Sequence, residues 1–220
     1  MALKRLILIR AAETDWNLNG RWQGWAPVPL NQHGWDQVYC LAGFIRNIGL
    51  TQIYSSDNRR AVQTAEVIAE KLDFDIQYDQ RLRERHIGHW QGLVLPEIRE
   101  WYADEYAEML KDISGYKISG GESLNDVTQR AEKALADIIK KANADDSDHT
   151  VGIVTHTTTI RVILEKLVLG ADLSHENFGN SSATTVRHND DGTWKLIATN
   201  DTSHLEGLES RYMPEVEHKG

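Results

Sequence analysis

Leu6-Ile7-Leu8-Ile9-Arg10-Ala11-Ala12-Glu13-Thr14 sets four apolar residues directly against a charged and polar stretch. A run of that length without polar alternation reads as a strand over residues 5–9 covered on both faces. Arg10 then stands where the strand hands over to a loop. Thr150-Val151-Gly152-Ile153-Val154 repeats the arrangement late in the chain, with His156 just beyond it. Between these two strands the pattern alternates. Residues 31–47 carry apolar residues at helical spacing, opened by Asn31 as N-cap. Thr51-Gln52-Ile53-Tyr54 reads as a strand, residues 57–72 as a helix with Asp57 near its start, and Phe74-Asp75-Ile76-Gln77-Tyr78 as a third strand.

The middle of the chain differs. Residues 94–118 are rich in aromatics and charge and read as a helical insertion or lid. Gly120-Gly121-Glu122-Ser123 breaks that segment, and residues 124–144 form an amphipathic helix. Asp145-Asp146-Ser147-Asp148 reads as a solvated loop, and a helix is expected over residues 158–168. Residues 183–188 and 194–199 flank the hairpin signal Asn189-Asp190-Asp191-Gly192. Strands alternating with helices predict an α/β fold, a three-layer α/β/α sandwich with a largely parallel central sheet. The expectation is a single domain, 1–220, with the helical lid inserted at about 93–121.

Composition narrows the functional classes. A chain of 220 residues can bury one sizeable core, and its 40% hydrophobic and 26% charged residues are ordinary for a globular protein. A net charge of −9 argues against nucleic acid as a partner. The single cysteine, Cys40, excludes a disulfide framework and reads as a small buried hydrophobe. No stretch has the length of a membrane span, and the start shows no signal-peptide core, so a cytoplasmic location is expected.

Ligands of parallel sheets sit beyond the carboxyl ends of the strands. Arg10, Ser55-Ser56 with Arg60, and His156 all fall there. Two arginines suit a phosphoryl group, whose non-bridging oxygens a guanidinium fork holds in pairs. A protonated His156 would donate to the same oxygens, and the threonines after it, Thr157 first, offer hydroxyls and helix-start amides. Glu84 is a candidate proton donor to a leaving oxygen. His86 and His89 lie close by without a third ligand at recognisable spacing, so no metal is expected.

Six ordered blocks, spanning nearly the whole chain, resemble the histidine phosphatase superfamily, which includes cofactor-dependent phosphoglycerate mutase. They are residues 6–10 with Glu13-Thr14-Asp15-Trp16-Asn17, Gly20-Arg21-Trp22-Gln23-Gly24 with Pro29-Leu30-Asn31, residues 54–65, Arg83-Glu84 through Trp90-Gln91-Gly92, Gly120-Gly121-Glu122-Ser123, and Val154-Thr155-His156. The resemblance implies a phosphate pocket of Arg10, Arg60 and His156, with Asn17 as a further polar contact. It implies Glu84 as proton donor, and Gln23 with the Trp22–Trp25 region as substrate rim. It also implies a metal-independent phosphomonoesterase reaction through a phosphohistidine, without a cofactor, on a small phosphorylated metabolite such as phosphoserine, a phosphoglycerate or a sugar phosphate. A phosphoglycerate mutase is the alternative activity, and a homodimer the expected assembly.

Two positions depart from the family pattern. Ala11 stands where the nucleophilic histidine belongs, and a methyl group cannot attack phosphorus. His156 is followed by Thr157-Thr158-Thr159 where many members have glycines. That variant, with Asn180, Ser181, Ser182 and His204-Leu205-Glu206, is similar to the metal-independent phosphoserine phosphatase branch, in which Ala12 would be native. One missing imidazole among intact companions reads as an inactivated His-to-Ala form. A natural non-catalytic binding protein is the rival.

Overall fold

The computed structural model describes residues 3–144, 147–170, 173 and 176–211. Six strands, β1 (Leu3–Arg10), β2 (Gln52–Ser55), β3 (Ile76–Tyr78), β4 (His149–Thr155), β5 (Ala183–His188) and β6 (Trp194–Asp201), form one sheet in the order β3-β2-β4-β1-β5-β6. All pairings from β3 to β1 are parallel, and β5 alone runs against the rest. The largely parallel α/β sheet expected from the sequence is therefore present.

Seven helices are found among the described residues: α1 (Asp15–Leu18), α2 (Gln32–Arg46), α3 (Arg59–Leu72), α4 (Leu95–Trp101), α5 (Ala103–Lys111), α6 (Leu124–Ala142) and α7 (Thr157–Leu167). Alternation along the strands divides the core between the two faces of the sheet. Leu6, Leu8, Val151 and Ile153 pack with Val127, Leu135, Ile138, Ile160 and Ile163 of α6 and α7. Ile7, Ile9, Ile53 and Val154 pack with Leu41, Ile45, Ala65 and Ile68 of α2 and α3. Each buried Leu or Ile contributes about 1.5–3 kcal/mol relative to exposure.

Helix starts show how the layers are fixed. The Oδ1 of Asn31 accepts the Gly34 amide at 2.8 Å, the N-cap expected from the sequence. Gly34 is required there, because a Cβ would lie 2.1 Å from the carbonyl oxygen of Glu13. The first turn of α2 thus presses on the loop that follows β1. Ser123 and Asp126 close a capping box at the start of α6.

Three local expectations need correction. The helix expected at 57–72 starts at Arg59 with Asn58 as N-cap, and Asp57 instead holds Arg83 through two bonds of 2.6 and 2.5 Å. The strand expected from Phe74 begins at Ile76, since only residues 76–78 find partners on β2. Cys40 is half-exposed rather than buried, because α2 turns Gly34, Gln37, Val38, Leu41, Ala42 and Ile45 inward and leaves Cys40 beside that stripe. Asp145 and Asp146 of the expected acidic loop lie outside the described residues.

The aromatic segment expected to be helical forms two short helices divided at Tyr102, which ends α4 and opens α5. Ile98, Met109 and Ile118 join Trp90 and Ile87 in an apolar cluster separate from the sheet core, with Trp22, Tyr102 and Tyr106 packed against it. Trp101 stays largely exposed. No described helix is long and apolar enough to cross a membrane.

Candidate active site

β2, β4 and β1 are neighbours in the sheet, so their carboxyl ends deliver Ser55-Ser56, Thr155-His156 and Arg10-Ala11 to one place. Pairing continues past the strands, where Ala11 N–H donates to Thr155 O at 2.9 Å and Ser56 N–H to Val154 O at 2.9 Å. The next two amides are also held: Ala12 N–H donates to Thr64 Oγ1 at 3.1 Å and Glu13 N–H to Gln37 Oε1 at 3.0 Å. The Ala11 carbonyl accepts from Asn180 Nδ2 at 3.0 Å. Position 11 is thus buried on a backbone fixed from several sides.

Arg60 is buried and Arg10 half-buried, and both guanidiniums have few partners. Arg10 donates to Phe178 O, and Arg60 donates from Nη2 to Gly24 O at 3.0 Å, while Arg60 Nη1 has no hydrogen-bond partner. Burial lowers both arginines to about 10, opposed by the nearby Glu84 carboxylate. Both therefore remain charged at neutral pH. Uncompensated buried charge is costly. Two such cations acting on each other can be neutralised by an anion.

His156 is buried, and its Nε2 lies 2.8 Å from Ser56 Oγ. Burial, then the charges of Arg60, Arg130 and Arg10, hold its pKa well below 6.5. The cationic form of the imidazole is thereby disfavoured, and an anion that offsets those arginines would favour the protonated donor expected from the sequence.

Glu84 lies in the irregular segment after β3. Its Oε1 accepts the Arg85 amide at 2.7 Å and its Oε2 the Thr158 amide at 3.3 Å, at the first turn of α7. Its peptide is held as well: Glu84 N–H donates to Asn58 Oδ1 at 3.3 Å, and Glu84 O accepts from Trp25 Nε1 at 2.6 Å. The Glu84 carboxylate acts on both Arg10 and Arg60, opposing the burial that lowers them.

The remaining expected residues divide. Gln23 is buried with Oε1 unpartnered. Asn17 Oδ1 accepts from Thr14 and, at 3.3 Å, from Asn180. Thr157 opens α7, but the bonds to the acid-bearing segment come from its successors: the Thr158 amide meets Glu84, and Thr159 Oγ1 donates to Arg83 O at 2.7 Å. His86 packs edge-on against Trp25 and accepts from Gly88 N–H, while His89 faces Glu105 and Ser119. No grouping of metal-ligating side chains occurs among the described residues.

Several functional neighbours had no legible signal. Gln37 reads as a polar residue within an apolar helix stripe, yet it bridges Glu13 N–H and Leu208 O. Arg211 donates to both oxygens of the buried Glu13 through its amide and guanidinium. Burial raises Glu13, but those bonds and one from Asn31 outweigh it and leave the carboxyl below its usual value. Ser210 Oγ accepts from the Asn180 amide at 2.7 Å, so residues 208–211 brace the loop carrying position 11. Residues 212–220 lie outside the described residues.

The sequence fits the profile of the histidine phosphatase superfamily (branch 1) over residues 6–202. It is 32% identical over 203 residues to phosphoserine phosphatase 1 of Hydrogenobacter thermophilus, covering 91% of this chain and 94% of that one. It is likewise 32% identical to glucosyl-3-phosphoglycerate phosphatase of Mycobacterium tuberculosis, covering 84% and 86%. A solved structure of a mycobacterial glucosyl-3-phosphoglycerate phosphatase complexed with VO3 superimposes with a TM-score of 0.79 at 29% identity, covering 90% of this chain and 100% of that one. By sequence and by fold, this chain belongs to the histidine phosphatase superfamily.

Proposed function

We propose that this chain is the scaffold of a metal-independent phosphomonoesterase for small phosphorylated metabolites, in a form lacking its nucleophile at Ala11. The reading rests on one observation. Buried Arg60 and half-buried Arg10, both charged and with few partners, come together with the buried His156 and the Glu84 carboxyl near position 11. Arg10 and Arg60 neutralise the phosphate, Asn17, Gln23 and Thr157 add donors at its edge, and His156 takes a proton as the dianion enters.

With histidine at position 11 the chemistry follows. A neutral imidazole nitrogen attacks phosphorus, and the P–N bond forms as the ester P–O bond breaks. Protonated Glu84 gives its proton to the departing oxygen. Water then attacks the phosphohistidine, Glu84 takes the water's proton, and phosphate leaves with the imidazole regenerated. The helical segment at about 93–121 acts as the lid that selects the substrate within a single domain, 1–220. Phosphoserine and glucosyl-3-phosphoglycerate, named for the relatives, lead the substrate candidates. No cofactor or metal takes part, and a cytoplasmic homodimer is the proposed state.

One observation favours a second reading. Ala11 itself fits a natural phosphometabolite-binding protein without turnover. The variant Ala11→His, assayed for phosphate release from O-phosphoserine, phosphoglycerates and sugar phosphates with and without chelator, separates the two. The phosphatase reading expects chelator-resistant turnover from the histidine form and none from the chain as it stands. Absence of turnover on every substrate would leave only the binding protein.

A further inference from the structure

We propose that Arg130 and Glu122 are positioning residues for the acid Glu84, a reading that rests on the phosphatase function above. Residues 83–87 belong to no helix or strand, so the carbonyls around Glu84 need partners from elsewhere. Side chains supply them. Leu82 O accepts from Thr155 Oγ1 at 2.6 Å. Arg130, reaching over from α6, donates from Nη1 to Arg81 O and Arg83 O, both at 2.7 Å, and from Nη2 to Glu84 O at 2.8 Å. Its Nε and Nη2 also hold the Glu122 carboxylate, at 2.8 and 3.0 Å.

A guanidinium has five N–H groups, and these bonds engage all of them. Arg130 has no donor left for a ligand, unlike Arg60. Its work is structural and aimed at one segment. Glu122 completes the brace from the far side, with Oε2 accepting His86 N–H at 2.8 Å and its own amide donating to His86 O at 2.7 Å. Gly121 permits this approach, since a Cβ there would lie 2.4 Å from His86 O. The Arg130–Glu122 pair is largely buried, so the clamp is not a solvent-screened surface contact. Glu84 is thereby gripped on both sides of its peptide, while its carboxyl accepts the Arg85 and Thr158 amides.

Two measurements test the assignment. In the chain as it stands, hydrogen exchange of the Arg85, His86 and Gly88 amides should rise at least about tenfold in Arg130→Met, with β1 and β4 amides unchanged. No rise, or a uniform rise across the sheet, overturns the clamp whatever the protein's activity. In the Ala11→His background, Arg130→Met and Glu122→Gln should lower turnover of O-phosphoserine more than that of p-nitrophenyl phosphate, whose phenolate departs without a proton. The ratio of the two rates should fall at least about tenfold, part of the 10²–10⁴-fold worth of general acid catalysis. Combining Arg130→Met with Glu84→Gln should lower the ratio no further than Glu84→Gln alone. Equal loss on both substrates, or additive loss in the double variant, refutes positioning. Should Arg130→Met fail to melt cooperatively, Arg130→Lys and Glu122→Gln carry the same test, because a lysine's three N–H groups cannot serve five acceptors. If the Ala11→His protein turns over neither substrate, the phosphatase reading fails while the exchange result still decides the clamp.

Discussion

Arg60→Met should stabilise the empty protein and abolish its response to phosphate. Arg60 is buried, its Nη1 is unpartnered, and burial with repulsion from Arg10 holds its pKa at about 10, below the ordinary arginine value, despite Glu84. A cation whose folded pKa is depressed is charged in both states below that value, so at pH 7 the folding penalty is fully present. The difference corresponds to about 3 kcal/mol. Methionine keeps the length and apolar contacts but loses the bond to Gly24 O, which costs about 1–2 kcal/mol. The net gain is about 1–2 kcal/mol, a rise in Tm of about 2–8 °C for a chain of this size. Saturating the unaltered protein with phosphate at a hundredfold over Kd should add about 2.7 kcal/mol, a further rise of about 5–10 °C. Melting curves at pH 7.5 and low salt, with and without phosphate, read both effects. A lower Tm in Arg60→Met, or a phosphate response kept in full, would refute the placement of an under-compensated cation in an anion site.

Two more predictions concern protons and the end of the chain. Burial and the neighbouring arginines disfavour the cationic form of His156, which should gain a proton when phosphate offsets Arg60 and Arg10. Calorimetric titrations at pH 7 in buffers of different ionisation enthalpy should show proton uptake that shrinks in His156→Gln, and equal uptake in both proteins would contradict the coupling. Arg211→Ala removes the two guanidinium bonds to the buried Glu13 and should cost about 1–3 kcal/mol at pH 7 by urea denaturation. Because the folded Glu13 carboxyl sits below its usual value, that loss should fade as the pH falls through the carboxylate range. A cost that persists at low pH would place the effect elsewhere.

What could be read from the sequence follows from where each residue sits. Arg10, Arg60 and His156 each stand just past a buried strand or at the helix that follows one, and an apolar run that ends in a charge is visible without a structure. Glu84 lacks such a frame. Its segment has no period, and only its companion block singled it out from 33 acidic residues. Arg130 was hidden for a different reason: on an amphipathic helix an arginine reads as solvated, and nothing local shows that its side chain turns toward carbonyls 46 to 49 residues away. Arg211 and Glu13 are 198 residues apart, so their pairing depends on the closed fold. Asp57 misled because an acid near a helix start looks like a cap, whereas its charge is used by Arg83.

The central claim is that position 11 lacks only its nucleophile. It is tested most directly by mixing Ala11→His with O-phosphoserine, quenching within the first turnovers, and mapping the peptide that contains residues 3–21 by mass spectrometry. One acid-labile phosphoryl group is expected on the restored histidine, formed without added metal and absent from the Ala11 chain. No phosphoryl group on position 11, under conditions where phosphate binding is saturated, would contradict it.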